Sequence, residues 1–448
     1  MNVRPFLRGP ASAALLTALV LTATPAIIHP AQAAAAKTGA KASSANAADR
    51  ATAAAIRGEA GGKLAAFYAG TNFEPVWSVK GRMGPSARKL IGYIEDARLD
   101  GLDPDRYKPD ALRAAIAAAD RGGAEERAQA DIALSRAFAR YVADMRKPRD
   151  VGMTFAGKGL KPSRPADDAV LRVATMRRLG AYMDEMGWMS PHYVRMREAL
   201  RAAEARGADR ETLEVLRLNR ERARVLPSPA VRHIVVDAAA ARLYYYQNGE
   251  QVGSMRVVVG TARTQTPMLA GYLNWAIFNP YWNVPDYLVR DNVARKVLSG
   301  RTLDSMNMQA LADWSDKPAV LDPAKIDWQA VRDGRQDLRV RELPGPVNSM
   351  GKVKFLFPND EGIYLHDTPN RDLLAKDARF FSNGCIRLED AAELGRWMMG
   401  KAYGAKGKAP EQAVPLPAPV PVYLTYLTAT QTKKGFALLD DVYQRDRR

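Results

Sequence analysis

The hydrophobic pattern of this chain changes its period near residue 230, and this change restricts the fold more than any other feature. Before that point, apolar residues such as Leu134 and Phe138 recur at the spacing of a helix. After it, short apolar runs typical of strands begin with residues 233–237. Pro227 and Pro229 separate the two patterns and end the last helical run. We therefore predict an α+β protein with a helical N-terminal domain and a mainly-β C-terminal domain.

Composition and pattern divide the chain into five parts. Residues 1–33 have the pattern of a signal peptide, and 34–60 form an Ala-rich segment that we expect to be a tether. The helical domain covers 61–226 and the β domain 230–446. Within the β domain, 287–343 loses the strand pattern and becomes polar, so we predict a helical or loop-like insertion that caps this domain.

Two local signals in the β domain are specific enough to place elements. Asn248 and Gly249 stand between the strand-like runs 242–247 and 252–259, which is a strong signal for a hairpin. A helix is expected to begin near Asp390, because an acidic residue three positions later completes a capping box.

The N-terminus has the three parts of an export signal. Arg4 and Arg8 make it basic, residues 11–21 are apolar, and 31–33 read Ala-Gln-Ala, a peptidase site. The apolar run is shorter than the roughly 20 residues needed to cross a bilayer. We expect cleavage and a periplasmic protein, and an uncleaved N-terminal anchor is the alternative.

The chain is strongly basic. Its formal charge is +17, and loss of the two arginines of the signal leaves 17 − 2 = +15. Such a charge favours anionic partners. Export argues against nucleic acid, and the sequence contains no Lys/Arg block with interleaved aromatic residues. An acidic extracytoplasmic polymer remains as the expected partner, although scattered arginines on solvated helices explain part of the charge.

Cys385 is the only cysteine of the chain, so it cannot form an intramolecular disulfide. A single thiol in an exported protein indicates a reactive group or an intermolecular bridge, and a buried cysteine without a role is the alternative. A nucleophilic thiol needs a base. His366 lies 385 − 366 = 19 residues upstream at the end of a predicted strand, whereas His192 and His233 belong to other contexts.

The residues around the thiol supply other parts of a possible site. Gly384 permits a tight turn before Cys385, and both N–H groups could face a developing oxyanion. Arg387 lies on the same face of a strand as Cys385 and could hold a carboxylate. The alternative is an ordinary Asn-Gly turn followed by a surface arginine.

The stretch from His366 to Arg387 resembles the catalytic motif of the L,D-transpeptidases, in which a His is followed by Ser/Thr-His-Gly-Cys and an Arg. The surroundings resemble the large, scaffold-bearing, YcbB-like branch of this YkuD-type family. Similar pieces occur in order from about residue 60 to the C-terminus, at 73–77, 100–104, 279–285, 343–346, 354–359 and 364–369. The resemblance implies a helical scaffold joined to a β catalytic domain.

The resemblance also implies an acyl transfer in the cell wall without a cofactor or a metal. Cys385 would attack the third residue of a peptidoglycan stem tetrapeptide and release D-Ala, and an amine of a second stem would then form the cross-link. His366 would be the base, oriented by the backbone carbonyl of Asp367, and Gly384 would help to stabilise the oxyanion. The residues expected to hold the donor are Arg387, Tyr364, Trp282, Ser382 and Asn383, although Trp282 is equally compatible with a place in the core.

Two features depart from the family pattern. Asn383 replaces the His that often precedes Gly-Cys, which is tolerable because the resemblance assigns the base to His366. Residues 161–210 show no version of the wall-binding module that this branch often carries. Two other functions remain open: a cysteine hydrolase on the same fold, either an L,D-carboxypeptidase or an enzyme that releases wall proteins, and an inactive wall-binding scaffold.

Overall fold

The computed structural model describes residues 36–315 and 317–446, with side chains described from residue 47 onward. The expected signal peptide, 1–33, lies outside the described residues. Within them, no helix combines the length and the apolar character needed to cross a bilayer.

The N-terminal half is built mainly from helices, as its 3.6-residue period predicts. A small hairpin, β1 and β2, and a further short strand, β3, interrupt them. The elements in chain order are α1 (Ala36–Glu59), α2 (Ala65–Gly70), β1 (Ser78–Val79), β2 (Arg82–Met83), α3 (Pro85–Glu95), α4 (Pro109–Arg121), α5 (Ala124–Met145), β3 (Thr154–Ala156), α6 (Asp167–Met176), α7 (Leu179–Asp184), α8 (Pro191–Ala205) and α9 (Arg210–Arg224).

Helix α5 is the centre of this domain. Leu134, Phe138 and Tyr141 on it are completely buried. Helices α1, α4 and α6 all pack against it, so its apolar residues face neighbours on several sides. A helix covered in this way is hydrophobic over most of its circumference, which explains why the sequence shows a broad apolar stripe here.

The prediction of a tether at 34–60 is wrong for most of this segment, because residues 36–59 form the helix α1. Its C-terminal part contributes Ile56, which is completely buried, and Thr52, whose side chain accepts a hydrogen bond from Arg127 of α5 at 3.0 Å. The segment is rich in alanine, a strong helix former, and one large apolar residue is enough to dock it. Its lack of other large apolar residues made it look unstructured.

The C-terminal half contains most of the strands. Its elements in chain order are β4 (His233–Asp237), β5 (Arg242–Gln247), β6 (Glu250–Gly260), β7 (Leu269–Phe278), β8 (Trp282–Val284), α10 (Asp286–Leu288), α11 (Arg295–Leu298), β9 (Met308–Leu311), α12 (Trp328–Arg332), β10 (Arg339–Glu342), β11 (Val353–Leu356), β12 (Leu365–His366), β13 (Phe380–Ser382), β14 (Ile386–Leu388), α13 (Ala391–Met399), β15 (Gln412–Thr425), β16 (Ala429–Thr432) and β17 (Gly435–Leu438).

The principal sheet has ten strands and closes on itself. Its order is β11-β12-β14-β6-β5-β4-β15-β7-β3, with β13 beside β6, and β11 also pairs with β7. Full closure leaves the core strands without free edges.

The predicted α+β fold class is confirmed by this architecture. So is the β5–β6 hairpin: Asn248 and Gly249 have φ of 56° and 95°, the left-handed conformations that a two-residue turn requires.

The insertion is more ordered than expected. Besides α10, α11, α12 and a π-helical turn (Val289–Ala294), it contains β9 and β10, which form a three-stranded sheet with β8. A separate small core, including Val293, Val331 and Val340, lies inside it. The expectation of helix and loop alone is therefore wrong. Strands β9 and β10 are only four residues long and contain few apolar residues, so the alternation of apolar and polar residues that indicates a strand was too weak to recognise.

The two halves interlock. Strand β3, from the helical half, pairs with β7 of the principal sheet. In return, the hairpin β16–β17 packs against α8, and Leu427 and Ala429 belong to the scaffold core. The boundary in sequence near residue 230 therefore does not coincide with a clean division in space.

Candidate active site

Two adjacent parallel strands bring the thiol and the imidazole together. In the pairing of β12 with β14, Leu365 lies opposite Ile386 and His366 opposite Arg387. One residue earlier, the carbonyl of Tyr364 accepts the N–H of Ile386 at 3.1 Å. This register places Cys385 at the level of Tyr364, next to the pair of His366 with Arg387 along the strands, and both Cys385 and His366 line the same cavity.

The loop before Cys385 is held by hydrogen bonds of its own. The Ser382 hydroxyl donates to the carbonyl of Cys385 at 2.6 Å and accepts the N–H of Gly384 at 3.1 Å. From outside the loop, the Thr266 hydroxyl donates to the Gly384 carbonyl at 2.8 Å. Gly384 has φ of 109°, where a side chain is rarely tolerated. The loop is therefore preorganised around the thiol.

These bonds correct two expectations about the loop. The Gly384 N–H points to Ser382, so it is not available to an oxyanion in this conformation. The single hydroxyl hydrogen of Ser382 is likewise used within the loop and is not offered to a substrate. Among the described residues, the N–H of Cys385 has no hydrogen-bond acceptor. It is the remaining backbone donor beside the sulfur.

His366 is held in one defined tautomer. Its Nδ1 lies 2.6 Å from the carbonyl oxygen of Asp367, and since a carbonyl can only accept, Nδ1 carries the hydrogen. Burial, assisted by the positive charge of Arg387, lowers the pKa of His366 to about 3. The ring is therefore neutral at physiological pH, and its Nε2 has a free lone pair. This is the form that a general base requires.

The carboxylate of Asp367 serves the backbone and not the imidazole. It accepts the N–H of Lys352 at 2.9 Å and an Arg371 guanidinium N–H at 3.0 Å. The expected orientation of His366 by a backbone carbonyl therefore matches the observed contact, and the acidic side chain braces the neighbouring turn.

The Cys385 thiol is protonated at rest. Burial raises its pKa to about 11, and hydrogen bonds from the backbone and hydroxyl of Tyr364, together with the charge of Arg387, oppose this effect only in part. The sulfur lies 3.7 Å from the carbonyl oxygen of Gly362. Thiol and imidazole are thus both neutral, and the structure contains no preformed thiolate–imidazolium pair.

Both groups line one cavity of about 330 Å³. Six of the predicted substrate-binding and catalytic residues line it together with the thiol, and the insertion contributes part of its wall. The lining includes Cys385, His366, Tyr364, Trp282, Ser382, Asn383 and Arg387, whereas Asp367 and Gly384 do not line it. Trp282 also packs on the core of the insertion, so its side chain both lines the cavity and contacts that core.

Arg387 is a cation without a partner. Among the described residues, it makes no ion pair, and its Nε is buried without a hydrogen-bond acceptor. Burial lowers its pKa. A planar guanidinium that faces a cavity in this state fits a carboxylate, which can accept two of its N–H groups at once.

Several residues of the cavity were not found from the sequence. Tyr287, Ser349 and the carbonyl of Gly362 belong to the site only because the insertion and two loops fold over it. Ser349 follows one of the family-like pieces, 343–346, which is the only signal that pointed near it. Thr266 had no signal, because a hydroxyl that braces a loop from a distant segment leaves no local pattern.

The fold and site define a class: a closed β-sheet domain in which a single cysteine and a neutral histidine line one cavity, a combination found in acyl-transfer enzymes. Residues 231–422 match the L,D-transpeptidase catalytic domain of the YkuD type, and residues 62–200 match a scaffold domain. The chain therefore carries an L,D-transpeptidase catalytic domain of the YkuD type behind an N-terminal scaffold domain.

The chain is similar to known proteins over part of its length. It is 31% identical over 239 residues to a protein of Haemophilus influenzae named "Putative L,D-transpeptidase", a match that covers 52% of this chain and 48% of that one. It thus spans about half the length of that relative. Among solved structures, an L,D-transpeptidase from Mycobacterium smegmatis is 13% identical with a TM-score of 0.21, over 43% of this chain and 58% of that one. The Ldtfm–avibactam carbamoyl enzyme is 12% identical with a TM-score of 0.23, over 65% and 80%.

Proposed function

We propose that the protein is a peptidoglycan L,D-transpeptidase that forms cross-links between the third residues of two stem peptides. The observation that carries this proposal is the convergence of Cys385 and His366 on one cavity, with Nδ1 of the histidine held by a carbonyl. That contact leaves Nε2 free to accept the thiol proton.

In the first step, the Cys385 sulfur attacks the carbonyl of the third residue of the donor as His366 takes its proton. The C–N bond to the terminal D-Ala then breaks, and His366 returns the proton to the leaving amine. Because both groups are neutral at rest, proton transfer accompanies attack, and the enzyme does not depend on a stored thiolate. The product is a thioester with the donor.

The negative charge that develops on the carbonyl oxygen needs donors. The Cys385 N–H, which lacks an acceptor among the described residues, is the first candidate, and the hydroxyl of Tyr364 beside the sulfur is the second. One such donor contributes roughly 3–4 kcal/mol in proteases. Arg387, Asn383 and Trp282 would hold the donor stem, and its carboxylates suit the free guanidinium.

In the second step, the amine of an acceptor stem attacks the thioester carbon. The C–S bond breaks, an amide forms, and the proton lost by the amine returns to the sulfur through His366. No ATP is required, since one amide is exchanged for another. This suits the periplasm, the location that we propose from the N-terminal pattern of residues 1–33. Wall binding would depend on the basic surface or on the scaffold.

The test is incubation of the protein with defined tetrapeptide stems, followed by mass spectrometry. We expect cross-linked dimers and a covalent adduct on Cys385 that lacks D-Ala. The variant Cys385→Ala should form neither product, and His366→Ala should acylate at least a hundredfold more slowly. Trimmed monomers without dimers would instead establish a carboxypeptidase, and activity that survives Cys385→Ala would contradict the nucleophile assignment.

A further inference from the structure

A second cavity, of about 480 Å³, lies beside the one that holds the thiol. The two share Trp282, Ser349, Asn383 and Arg387 in their walls. The second cavity is otherwise formed largely by the insertion, through the π-helical turn, α11, the segment after it and β9. It is therefore a neighbouring compartment that shares part of its wall with the catalytic one.

Its charges are unbalanced. Lys296 and Arg301 line it from the insertion, and neither forms an ion pair among the described residues. The one carboxylate in the lining, Glu342, is already used: it is buried and accepts the N–H of Ser349 at 3.0 Å. Burial raises the pKa of Glu342, while its hydrogen bonds with Ser349 and the positive charge of Lys296 oppose this shift, so three cations face one carboxylate. Lys296, Arg301 and Arg387 therefore make the compartment cationic.

A cationic cavity of this size fits a flexible ligand that carries carboxylates. In the proposed reaction, the donor occupies the compartment of Cys385 as a thioester when the second substrate arrives. Because the two cavities share four lining residues, an amine held in the second cavity would lie next to the compartment of the thioester. A stem peptide that ends in a free carboxylate matches the charge of this second cavity.

We propose that the second cavity is the binding site of the acceptor stem, and that Lys296 and Arg301 select acceptors that carry carboxylates over neutral amines and water. This inference rests on the proposed function and specifies its second substrate. The insertion would then do more than cover the site, because its own cations would decide between cross-linking and hydrolysis of the thioester.

The experiment uses the full chain, a tetrapeptide donor and a tripeptide acceptor, with mass spectrometry of both half-reactions. The variants are Lys296→Gln, Arg301→Gln and the double variant. Both side chains are exposed, so folding should be unaffected. Arg295→Gln is the matched control. Arg295 is exposed and lies next to Lys296 on α11, but it does not line the cavity.

We expect each of the two variants to lower the ratio of dimer to hydrolysed donor by about tenfold, as expected for loss of one charged hydrogen bond. The rate at which the acyl-enzyme forms in the absence of an acceptor should change far less than this ratio. An acceptor whose carboxylates are converted to amides should be used poorly by the wild type, and the double variant should no longer distinguish it from the acid. Arg295→Gln should behave as the wild type.

Equal dimer ratios in the double variant and in Arg295→Gln, with normal acylation, would overturn the acceptor assignment and leave the proposed function intact. Equal use of acid and amide acceptors by the wild type would do the same. Failure of the wild type to form any acyl-enzyme would instead remove the proposed function itself.

Discussion

At the scale of single residues, the site is governed by burial more than by charge. Cys385 and His366 sit in a poorly solvated cavity, and each is therefore held in its neutral form. Arg387 favours the thiolate but disfavours the imidazolium, so it cannot stabilise an ion pair between the two. In the proposed mechanism, sulfur attack and proton transfer would therefore occur together, once a substrate is bound.

The neutral forms of Cys385 and His366 predict an unusual dependence of the acylation rate on pH. His366 is active when neutral, and with a pKa of about 3 it stays neutral down to that value. We therefore expect kcat/KM for acylation to be flat between pH 5 and 9 and to decline only as the pH approaches 3. Stopped-flow mass measurements of the adduct would check this. An acidic limb with a midpoint between pH 6 and 7 would mean that the ring is solvated.

The same state changes the expected reactivity toward alkylating agents. A thiol with a pKa of about 11 is almost entirely protonated at neutral pH, so slow reaction with iodoacetamide is expected even of an active enzyme. Inertness to this reagent therefore does not support the inactive scaffold, whereas failure to acylate with a stem peptide would.

Gly384 predicts a coupled loss of stability and activity. Its φ of 109° is strained for any side chain, and a Cβ would lie 3.1 Å from Cδ1 of Ile363. We expect Gly384→Ala to destabilise the protein by about 1–3 kcal/mol and to slow acylation at least tenfold, because the thiol is displaced. Urea unfolding and adduct formation would measure the two effects.

Gly407→Ala is the matched control for this variant. Gly407 has a similar φ of 103°, but a Cβ there would meet no atom within 4 Å. It should lose stability through backbone strain and acylate normally. Normal acylation by Gly384→Ala as well would contradict the idea that this loop positions the thiol.

At the scale of elements, strand pairing both builds the site and holds the sheet closed. At the end of β4, the same oxygen of Asp237, Oδ1, accepts the N–H groups of Ala239 and Leu427 at 3.1 and 3.0 Å. This joins β4 to the segment after β15. Burial raises the pKa of Asp237 to about 7, so the folded protein prefers the protonated carboxyl.

The consequence is a stability that depends on pH. In the unfolded chain, an aspartate ionises near pH 4, whereas in the folded protein Asp237 ionises near 7. Between these values unfolding releases a proton, so stability should fall as the pH rises from about 4 to about 7 and level off above. Asp237→Asn keeps an acceptor for both N–H groups and should remove this part of the decline.

Thermal unfolding of both proteins at pH values from 5 to 8 would test this prediction. The melting temperature of Asp237→Asn relative to the wild type should increase with pH up to about 7. A constant difference across this range would show that the carboxyl is ionised throughout. The same scans would also show where the pH profile of catalysis is limited by unfolding.

At the scale of the whole molecule, polar bonds between α9 and the C-terminal segment hold the two halves together. Arg222 is 3% exposed and pairs with Asp446 at 2.6 Å, and it also donates to the carbonyl of Tyr426 at 3.2 Å. Beside it, Asn219 exchanges hydrogen bonds with the side chain and N–H of Thr428 at 2.8 and 2.7 Å. A buried network of this kind fixes the orientation of its partners.

Removal of Arg222 should therefore weaken the whole molecule. We expect Arg222→Ala to lower the free energy of unfolding by about 3–5 kcal/mol, since it leaves a largely buried Asp446 unpaired. Differential scanning calorimetry should also show the two halves melting in separate steps. Arg217→Ala is the control: Arg217 lies on the same helix as Arg222, but its ion pair with Glu204 of α8 is exposed, and its loss should cost less than about 1 kcal/mol. Equal effects of the two substitutions would contradict the role of Arg222.

The sequence by itself determined the features that depend on neighbouring residues. The helical period fixed the N-terminal half, Asn248-Gly249 fixed a hairpin, and Asp390 fixed the start of α13, where its side chain accepts the N–H of Glu393 at 2.7 Å. The single cysteine and the family-like pieces also identified Cys385 and His366 as the pair to examine, because residue type and order suffice for that.

Only the tertiary structure decided the features that depend on distant segments. It assigned the Gly384 N–H to the loop, joined β3 to the principal sheet and showed a second, cationic cavity beneath the insertion. It also decided that thiol and imidazole are both neutral at rest. The reason is that pKa values, free hydrogen-bond donors and cavities are set by what surrounds a group in space, and the order of residues along the chain does not encode that directly.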